Sequence, residues 1–319
     1  MKNIVILDGL TLGEIQIERL KEFGNVEYYE TTMPNEVKNR IKDANIIFTN
    51  KVALNESNLN EADKLELICE TATGFNNIDI KYAKEKNIAV TNVAGYSTNT
   101  VVQHTFATAL ALVDEIEYYD DFVKSGRYST SPIFTCLNKP FMELEGKVWG
   151  IVGLGNIGKR VALVAEALGM KVVYYSTSGR NNSNEYKRVD LNELLRESDI
   201  ISIHAPLNDN TLGLFNYDNI SKMKNTAILV NMGRGPIVVE KDLARAIDEE
   251  IIKGAALDVF EVEPMTENNQ QLSVKNKERL IMTPHIAWAS VEARERLFNE
   301  TIENIKAFYN GEIRNRVDL

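Results

Sequence analysis

The chain has few cysteines and no long hydrophobic run. Only Cys69 and Cys136 are present among 319 residues, and neither a Cys-x-x-Cys motif nor a Cys/His cluster occurs. This scarcity argues against a disulfide framework and a zinc site, and it predicts reduced thiols in a cytoplasmic protein. The N-terminal apolar run ends at Asp8. Because it is too short for a signal peptide or a membrane span, we expect no membrane attachment.

An excess of basic charge is also lacking. The 36 Lys and Arg residues are outnumbered by 46 Asp and Glu residues, which gives a formal net charge of -10. Without a dense Lys/Arg run, this balance argues against a nucleic-acid-binding protein. A composition of 44% hydrophobic and 26% charged residues is that of a globular protein, and the length is sufficient for two domains.

Short apolar strands alternate with helical segments in the first 91 residues. This alternation predicts an α/β domain, in which helices cover both faces of a parallel sheet. Strands are expected at residues 4–7, 26–29, 46–48, 67–68 and 89–91, with helices at 14–23, 36–41, 59–64 and 80–85. An apolar segment of helical length, residues 98–113, follows and predicts a long buried helix that leaves this domain.

A second α/β series begins at Gly146 and predicts a dinucleotide-binding sheet of six strands. The strands are expected at residues 148–152, 171–175, 200–203, 227–230, 255–258 and 280–282. Residues 290–309 have apolar positions at helical spacing, and we expect this helix to return to the first domain. The predicted domains are therefore residues 1–98 with 290–319, and an inserted domain of residues 99–289.

The glycine turn after the strand at 148–152 is the central motif of the sequence. Gly153 permits a tight turn, Gly155 allows the backbone to approach a pyrophosphate, and Gly158 allows the next helix to pack closely. The helix N-terminus then presents unpaired N–H groups to an anion. The same hexapeptide also occurs in ordinary loops, but the strand before it and the helix after it favour a dinucleotide site.

Proton-transfer chemistry based on histidine has three candidates. His104 lies in the apolar helix and is typical of a hydrogen-bonded core residue, while His204 ends a strand and could border the cofactor. His285 is the best acid/base candidate, because it follows the last strand of the sheet. Arg234 and Glu263 also follow strands of that sheet, so the three residues can form a catalytic group. The alternative is a surface Arg–Glu ion pair beside a histidine.

Seven motifs in order resemble those of the D-isomer-specific 2-hydroxyacid dehydrogenases, and most closely the glycerate dehydrogenase/hydroxypyruvate reductase branch. They are residues 74–79, 95–104, 153–158, 204–207, 231–235, 257–264 and 283–288. The resemblance covers essentially the whole chain. It implies a Rossmann dinucleotide-binding domain inserted into a flavodoxin-like substrate-binding domain, and a homodimer with its contact at the helix of residues 98–113 and the segment 115–131.

The resemblance also implies roles for individual residues. Arg234 would bind the substrate carboxylate and carbonyl oxygen, His285 would exchange the hydroxyl proton, and Glu263 would support His285. Backbone amides of the loop after the fourth strand would bind substrate, although Gly and Asn there are also typical of a plain turn. The residues of this loop are Ala72, Thr73 and Gly74, and Trp288 is a further substrate-binding residue. The cofactor-binding residues are Thr100, Gly153, Gly155, Asn156, Ile157, Gly158, Ser176, Thr177, Ser178, Arg180, His204, Ala205, Pro206, Thr211, Asn231, Met232, Gly233 and Asp258. No metal site is expected.

One position departs from the family pattern and concerns the choice of cofactor. NAD-preferring relatives carry an Asp at the end of the second strand of the dinucleotide fold, whereas this chain has Ser176. A carboxylate would repel a 2′-phosphate, while hydroxyls and the nearby Arg180 can accept one. The sequence therefore favours NADP, with NAD as the alternative if residues 176–180 are only a polar loop.

The expected activity is hydride transfer between a nicotinamide cofactor and a small D-2-hydroxy acid or 2-oxo acid. Glycerate/hydroxypyruvate or glyoxylate is the expected substrate pair. A D-lactate or D-2-hydroxyisocaproate type dehydrogenase and a short phosphoglycerate dehydrogenase are alternatives. A corepressor-like module that senses a dinucleotide is an alternative from another class.

Overall fold

The computed structural model describes all 319 residues, and they form two compact units. The first unit comprises Met1–Ser97 and Ala289–Leu319, and the second comprises Thr98–Trp288. Each unit contains one sheet whose strands all run parallel. The predicted α/β class with two parallel sheets is confirmed.

The first unit has a five-stranded sheet in the order β2-β1-β3-β4-β5. This is the flavodoxin-like order, in which the strand sequence reverses beside β1. The strands are β1 Lys2–Ile6, β2 Gly24–Tyr28, β3 Ile46–Thr49, β4 Leu67–Glu70 and β5 Ala89–Thr91. The helices between them are α1 Val37–Ile41, α2 Glu56–Leu59 and α3 Ile80–Glu85.

Two predicted helices of this unit were wrong in type or position. Residues 14–23 form no α-helix, and a 3₁₀ helix, Ile17–Glu22, lies there instead. Its core-facing residues Ile17, Leu20 and Phe23 are three apart, which matches the three-residue turn of a 3₁₀ helix. The helix expected at residues 59–64 is α2, which begins earlier because the side chain of Asn55 caps it by accepting a hydrogen bond from the Ser57 amide.

The second unit has a seven-stranded sheet in the order β12-β11-β10-β9-β6-β7-β8. This is the Rossmann order with one strand added beyond the sixth. The strands are β6 Val148–Val152, β7 Lys171–Tyr175, β8 Lys187–Arg188, β9 Ile200–Ile203, β10 Ile228–Asn231, β11 Gly254–Leu257 and β12 Leu280–Met282. The helices are α4 Thr98–Val113, α5 Ile116–Lys124, α6 Asn156–Ala167, α7 Leu191–Glu197, α8 Tyr217–Ile220 and α9 Glu240–Asp248.

The strand that the sequence did not predict is β8, at the edge of this sheet. It has only two residues, both charged and exposed, so it shows no apolar pattern. The long buried helix expected at residues 98–113 is confirmed as α4. Phe106 of this helix packs against Trp149 of β6, with ring centroids 4.5 Å apart. The buried Trp149 indole donates to Ser202 Oγ at 2.8 Å, so its polar group is satisfied.

The C-terminal helix α10, Val291–Tyr309, belongs to the first unit, as expected. Its N-cap is Ser290, whose hydroxyl oxygen accepts from the amide of Ala293. The apolar face carries Phe298, Ile302 and Ile305 into the core beside the sheet. Neither unit contains a helix with both the length and the hydropathy of a membrane span.

A buried asparagine of α10 connects three segments of the first unit. The Asn304 amide nitrogen donates to the carbonyl of Asn92 at 3.1 Å, and its oxygen accepts from the Asn315 side chain at 2.8 Å. We expect Asn304→Ala to lower the free energy of unfolding by about 1–3 kcal/mol, because it leaves buried polar groups unpaired. Urea denaturation at pH 7 measures this change.

Glu303→Ala is the matched control for Asn304→Ala. Glu303 precedes Asn304 on the same helix, but its side chain is exposed and pairs only with Lys306. This variant should stay within about 0.5 kcal/mol of the wild type. Equal effects of the two substitutions would show that the loss reflects helix propensity rather than the buried hydrogen bonds.

Candidate active site

The turn between β6 and α6 can be built only with glycine at its first position. Gly153 has a φ of +92°, which side chains rarely adopt. A Cβ there would also lie 3.0 Å from the backbone of Ala205. The turn therefore brings the ends of β6 and β9 into contact.

The other two glycines of the motif have different surroundings. A Cβ at Gly158 would lie 2.3 Å from the carbonyl oxygen of Gly153, so α6 packs against the turn with no room for a side chain. A Cβ at Gly155 would meet no atom within 4 Å. The surface over Gly155 is thus open, and the first-turn N–H groups of α6, at Asn156, Ile157 and Gly158, are available to an anion. These contacts fit a pyrophosphate at this turn.

Two side chains near this turn have buried polar atoms that make no hydrogen bond. Neither ring nitrogen of His204 makes a hydrogen bond, and the Ser176 hydroxyl is also unpaired. Burial lowers the pKa of His204 to about 3, so the imidazole is neutral near pH 7. Buried polar groups are normally paired. Their position at the ends of β9 and β7 is consistent with groups that a bound dinucleotide would satisfy.

The segment after β7 contains no carboxylate that could hold ribose hydroxyls. Ser176 is buried and Thr177 is half-buried, while Ser178 and Arg180 are exposed. The amide of Arg180 donates to the Ser178 hydroxyl at 3.2 Å. The arginine side chain therefore extends from a short turn, close in sequence to the position at which a family member would carry Asp.

The remaining residues predicted to bind the cofactor differ in whether their side chains are free to contact a ligand. The Thr211 hydroxyl donates to the Pro206 carbonyl at 2.8 Å, and so it closes the loop after β9 internally. Asn231 is fully buried, and its side chain bonds Gly233 and Arg234. Ala205 and Met232 are buried, while Thr100, in the first turn of α4, is half-buried. Thr211 and Asn231 thus shape their loops, whatever else they contact.

His285 and Glu263 form the closest predicted catalytic contact. His285 follows β12, Glu263 follows the adjacent strand β11, and the His285 Nδ1 atom lies 2.7 Å from the Glu263 Oε2 atom. The other carboxylate oxygen of Glu263 accepts from the amide of Phe260 at 3.0 Å. Because the carboxylate accepts the proton on Nδ1, Nε2 is the ring nitrogen left to exchange a proton with a ligand.

Arg234 lies at the same edge of the sheet, after β10. This strand pairs in parallel with β11, so the residues after β10, β11 and β12 follow three adjacent strand ends. The half-buried Arg234 uses one N–H to donate to the Gly233 carbonyl at 2.8 Å. The rest of its guanidinium remains available for a carboxylate or a carbonyl oxygen.

A buried carboxylate holds the segment that carries His285. Asp258 accepts hydrogen bonds from the Thr283 hydroxyl at 2.6 Å and from the amides of Ile286 and Ala287 at 2.8 Å. These bonds flank His285, which has a φ of +54°. A left-handed backbone is uncommon outside glycine, so the bonds to Asp258 stabilise a conformation that the chain would otherwise avoid.

His104 takes part in this hydrogen-bond network rather than in the predicted catalytic triad of Arg234, Glu263 and His285. Its Nε2 atom lies 2.9 Å from the Thr283 hydroxyl oxygen, so α4 supports the same segment. The expectation of a hydrogen-bonded histidine holds, although the side chain is half-buried. Thr283 was not singled out from the sequence; its signal is its position between strand β12 and His285.

The predicted substrate loop, at Ala72, Thr73 and Gly74, follows β4 in the first unit. It is held through its carbonyl groups, since Ala72 accepts from the Val93 amide and Thr73 accepts from the Asn92 side chain. The Thr73 hydroxyl donates to the Val93 carbonyl at 3.0 Å. The three amide N–H groups make no hydrogen bond within the protein. Three successive free amides are suited to an anion. Trp288, the other predicted substrate residue, is half-buried in the second unit.

The chain matches known proteins along almost its whole length. Residues 106–287 match the NAD binding domain of the D-isomer specific 2-hydroxyacid dehydrogenases. The hydroxypyruvate reductase of Blautia hydrogenotrophica is 37% identical over 316 residues, which is 97% of each chain. The glycerate dehydrogenase of Methylorubrum extorquens is 35% identical and covers 99% of each chain.

Solved structures show the same architecture. The D-lactate dehydrogenase of Aquifex aeolicus, in complex with NAD and lactic acid, is 30% identical, with a TM-score of 0.84 over 99% of each chain. The sequence match, the Rossmann sheet with its glycine turn and the relatives agree. The chain belongs to the D-isomer specific 2-hydroxyacid dehydrogenase family, whose members are oxidoreductases that act on the CH–OH group of a donor with a nicotinamide cofactor.

Proposed function

We propose that this enzyme interconverts a small 2-oxo acid and its 2-hydroxy acid, with hydroxypyruvate/D-glycerate or glyoxylate/glycolate as the substrate pair. The observation that carries the proposal is the 2.7 Å contact between His285 and Glu263, with Arg234 following the neighbouring strand. This arrangement combines an acid/base group, a carboxylate that orients it and a cation suited to an oxo acid.

His285 is proposed to exchange the proton with the substrate oxygen on carbon 2. When bound, the nicotinamide cofactor supplies the hydride for carbon 2 of the oxo acid. His285 donates the proton from Nε2 to the oxygen on carbon 2, while Glu263 holds the ring through Nδ1. In the reverse direction the same nitrogen takes the hydroxyl proton. Glu263 is thus a positioning residue for His285.

The negative charges of the substrate need two kinds of donors. Arg234 would bind the carboxylate and stabilise the negative charge that develops on the carbonyl oxygen during reduction. The amides of Ala72, Thr73 and Gly74 would bind the carboxylate. Their lack of a protein acceptor supports this role, because it leaves donors free for an anion.

The names of the relatives support the choice of substrate. Hydroxypyruvate reductase and glycerate dehydrogenase are the activities of the two relatives described above. A D-lactate type dehydrogenase is the second candidate, because the Aquifex aeolicus structure has the same fold over 99% of its chain. The two candidates share their acid/base chemistry and differ in the group that carbon 3 of the substrate carries.

We infer that NADPH is accepted and preferred. Ser176 stands where NAD-preferring relatives carry an Asp, its hydroxyl is unpaired, and Arg180 extends from the same turn. Hydroxyl and guanidinium groups bind a 2′-phosphate, whereas a carboxylate would repel it. A polar loop that binds only NADH is the alternative.

We further infer a homodimer. The helix α5 has no buried residue, and the segment that follows exposes Ile133, Phe134, Leu137 and Phe141, with Phe134 exposed by 88%. Clustered apolar side chains of this size mark protein contact surfaces. We define residues 116–141 as the arm, and we propose that it contacts a second copy across a two-fold axis.

We also propose a cytoplasmic location, the setting in which unpaired thiols persist. Cys69 and Cys136 are both free. Burial raises the pKa of the Cys69 thiol to about 12, so this side chain acts as a core residue. Co-fractionation of the native protein with a cytoplasmic marker would support the location.

Substitutions of the acid/base pair test the mechanism. We expect His285→Ala to lower kcat by a factor of about 100 or more, because general acid catalysis contributes that much. Glu263→Gln should lower kcat by about tenfold or more, since the amide no longer accepts the Nδ1 proton as a carboxylate does. Both variants should bind cofactor as the wild type does, which fluorescence titration measures.

Glu261→Gln is the control for Glu263→Gln. Glu261 lies two residues away, is exposed, and interacts with Glu240 rather than with His285. Its kcat should equal that of the wild type. Near-normal turnover by His285→Ala would remove this residue from the mechanism.

A steady-state panel tests substrate and cofactor together. The oxo acids are hydroxypyruvate, glyoxylate, pyruvate and branched 2-oxo acids, each with NADH and NADPH. We expect the highest kcat/KM for hydroxypyruvate or glyoxylate with NADPH. Ser176→Asp should raise the KM for NADPH by about tenfold without raising that for NADH, because its carboxylate would repel the 2′-phosphate.

Each result that differs from these expectations would change a specific part of the proposal. A preference of the wild type for NADH would overturn the cofactor inference and leave the reaction unchanged. A preference for pyruvate would favour the D-lactate type activity. Cofactor binding without turnover of any oxo acid would favour a dinucleotide-sensing module.

The proposed dimer contact through the arm can be tested by introducing charged side chains into it. Phe134→Asp combined with Leu137→Asp should convert the dimer to a monomer in light scattering, because burying two carboxylates in an apolar contact is costly. Ile313→Asp is the control, since Ile313 is 76% exposed but lies in the first unit. A wild-type monomer would contradict the inference, and so would a double variant that stays dimeric.

A further inference from the structure

A buried glutamate stands at the base of the proposed substrate loop. Glu70 is the last residue of β4, and only 1% of its surface is exposed. The strand before it, Leu67–Cys69, is fully apolar and buried. Glutamate is almost never fully buried without pairing, and the triad and the cofactor site make no use of this one.

The carboxyl group of Glu70 closes the loop through one hydrogen bond. Its Oε2 atom accepts from the Asn77 side-chain nitrogen at 3.0 Å, and that nitrogen also lies 3.2 Å from the carbonyl oxygen of Val52. Residues 71–77 therefore begin beside Glu70 and return to its side chain. The other oxygen, Oε1, is buried and has no partner.

The first part of this loop is held in other ways. The Thr71 amide donates to the Thr49 carbonyl at 2.7 Å, and Asn92 and Val93 hold Ala72 and Thr73. Asn77 is held through its carbonyl, which accepts from the Leu54 amide, and through its side chain. The Glu70–Asn77 bond is thus the direct connection between the two ends of the loop that carries the three free amides.

Burial favours the neutral form of Glu70. Burial, with a smaller contribution from Asp8 after β1, raises the pKa of Glu70 to about 9, although Asn77 and Lys51, after β3, act in the opposite direction. Asp8 itself accepts hydrogen bonds from the amides of Asn50 and Lys51, so its carboxylate is fixed in place. Near pH 7 Glu70 is therefore a neutral acid beside a fixed acidic neighbour.

We propose that Glu70 is a positioning residue whose protonated form keeps the loop of residues 71–77 in the shape that binds the substrate carboxylate. Loss of the proton puts a charge in a buried site that has a single hydrogen-bond donor. Solvation of that charge requires the loop to open. The inference rests on the proposed function, because it assigns the free amides of residues 72–74 to the substrate.

The pH dependence of KM tests the proposal. We expect the KM of the wild type for hydroxypyruvate, divided by that of Glu70→Gln, to be about 1 at pH 7. The ratio should reach about tenfold at pH 10, because only the protonated fraction binds substrate. The glutamine is a permanently neutral analogue of the acid. The kcat of the two proteins should stay alike at each pH, since the proposed role of Glu70 concerns substrate binding.

Glu66→Gln is the matched control, since Glu66 lies just before the same strand, is partly exposed and pairs with Lys2. Its KM profile should follow that of the wild type. If the wild type turns over substrate and the KM of Glu70→Gln rises at alkaline pH as that of the wild type does, Glu70 does not have the proposed role. The proposed reaction would be unaffected by that result. No turnover of any 2-oxo acid by the wild type at pH 7 would instead reject the proposed function.

Thermal unfolding gives a readout that needs no substrate. The folded protein keeps the Glu70 proton up to about pH 9, whereas a glutamate in the unfolded chain loses it near its ordinary pKa of 4.5. The unfolded state therefore binds fewer protons in this window, and stability must fall as pH rises through it. The Tm of the wild type should drop relative to that of Glu70→Gln between pH 5 and pH 9. Parallel Tm profiles would show that Glu70 is already ionised and would overturn the proposal.

Discussion

The presentation of His285 depends on the carboxylate of Asp258. Three donors from residues 283–287 converge on it, two of them backbone amides on the C-terminal side of His285. The interaction stabilises a left-handed histidine backbone, which in turn directs Nδ1 to Glu263. A buried carboxylate is costly unless it is fully hydrogen-bonded. Asp258 satisfies that condition with the very segment that carries the acid/base group.

Polar groups in this chain are thus used in two contrasting ways. The side chains of Asp258, Asn231 and Thr211 form hydrogen bonds within the protein, and these bonds fix the loops after β11, β10 and β9. His204, Ser176 and the amides of residues 72–74 make none. Since a folded protein rarely leaves buried polar groups unpaired, His204 and Ser176 mark where we expect the cofactor to bind. The amides of residues 72–74 are not buried, but they are free donors that can bind the substrate.

The parts that the sequence predicted share a physical basis. Gly153 and Gly158 have no room for a Cβ, so their spacing reports a backbone geometry directly. His285, Glu263 and Arg234 were predicted to lie at one sheet edge because parallel strands end there, and the structure places them after three adjacent strands. The parts it missed depend on tertiary contact. Strand β8 has no apolar residue, Ile17–Glu22 forms a 3₁₀ helix on the core, and nothing in residues 67–70 alone indicates that Glu70 binds Asn77.

Two buried titratable groups, His204 and Glu70, impose opposite pH trends on stability. The folded state resists protonation of His204, whose pKa is lowered to about 3, so its contribution to stability falls as pH drops below the ordinary value of 6.5. The folded state resists ionisation of Glu70, so its contribution falls as pH rises above 4.5. Between these two values the slopes oppose each other and nearly cancel. Below pH 4.5 His204 determines how stability changes with pH, and above pH 6.5 Glu70 does. These two groups alone therefore favour the folded state most in mildly acidic solution, whereas the proposed binding of substrate by the loop of residues 71–77, which needs a protonated Glu70, extends up to about pH 9.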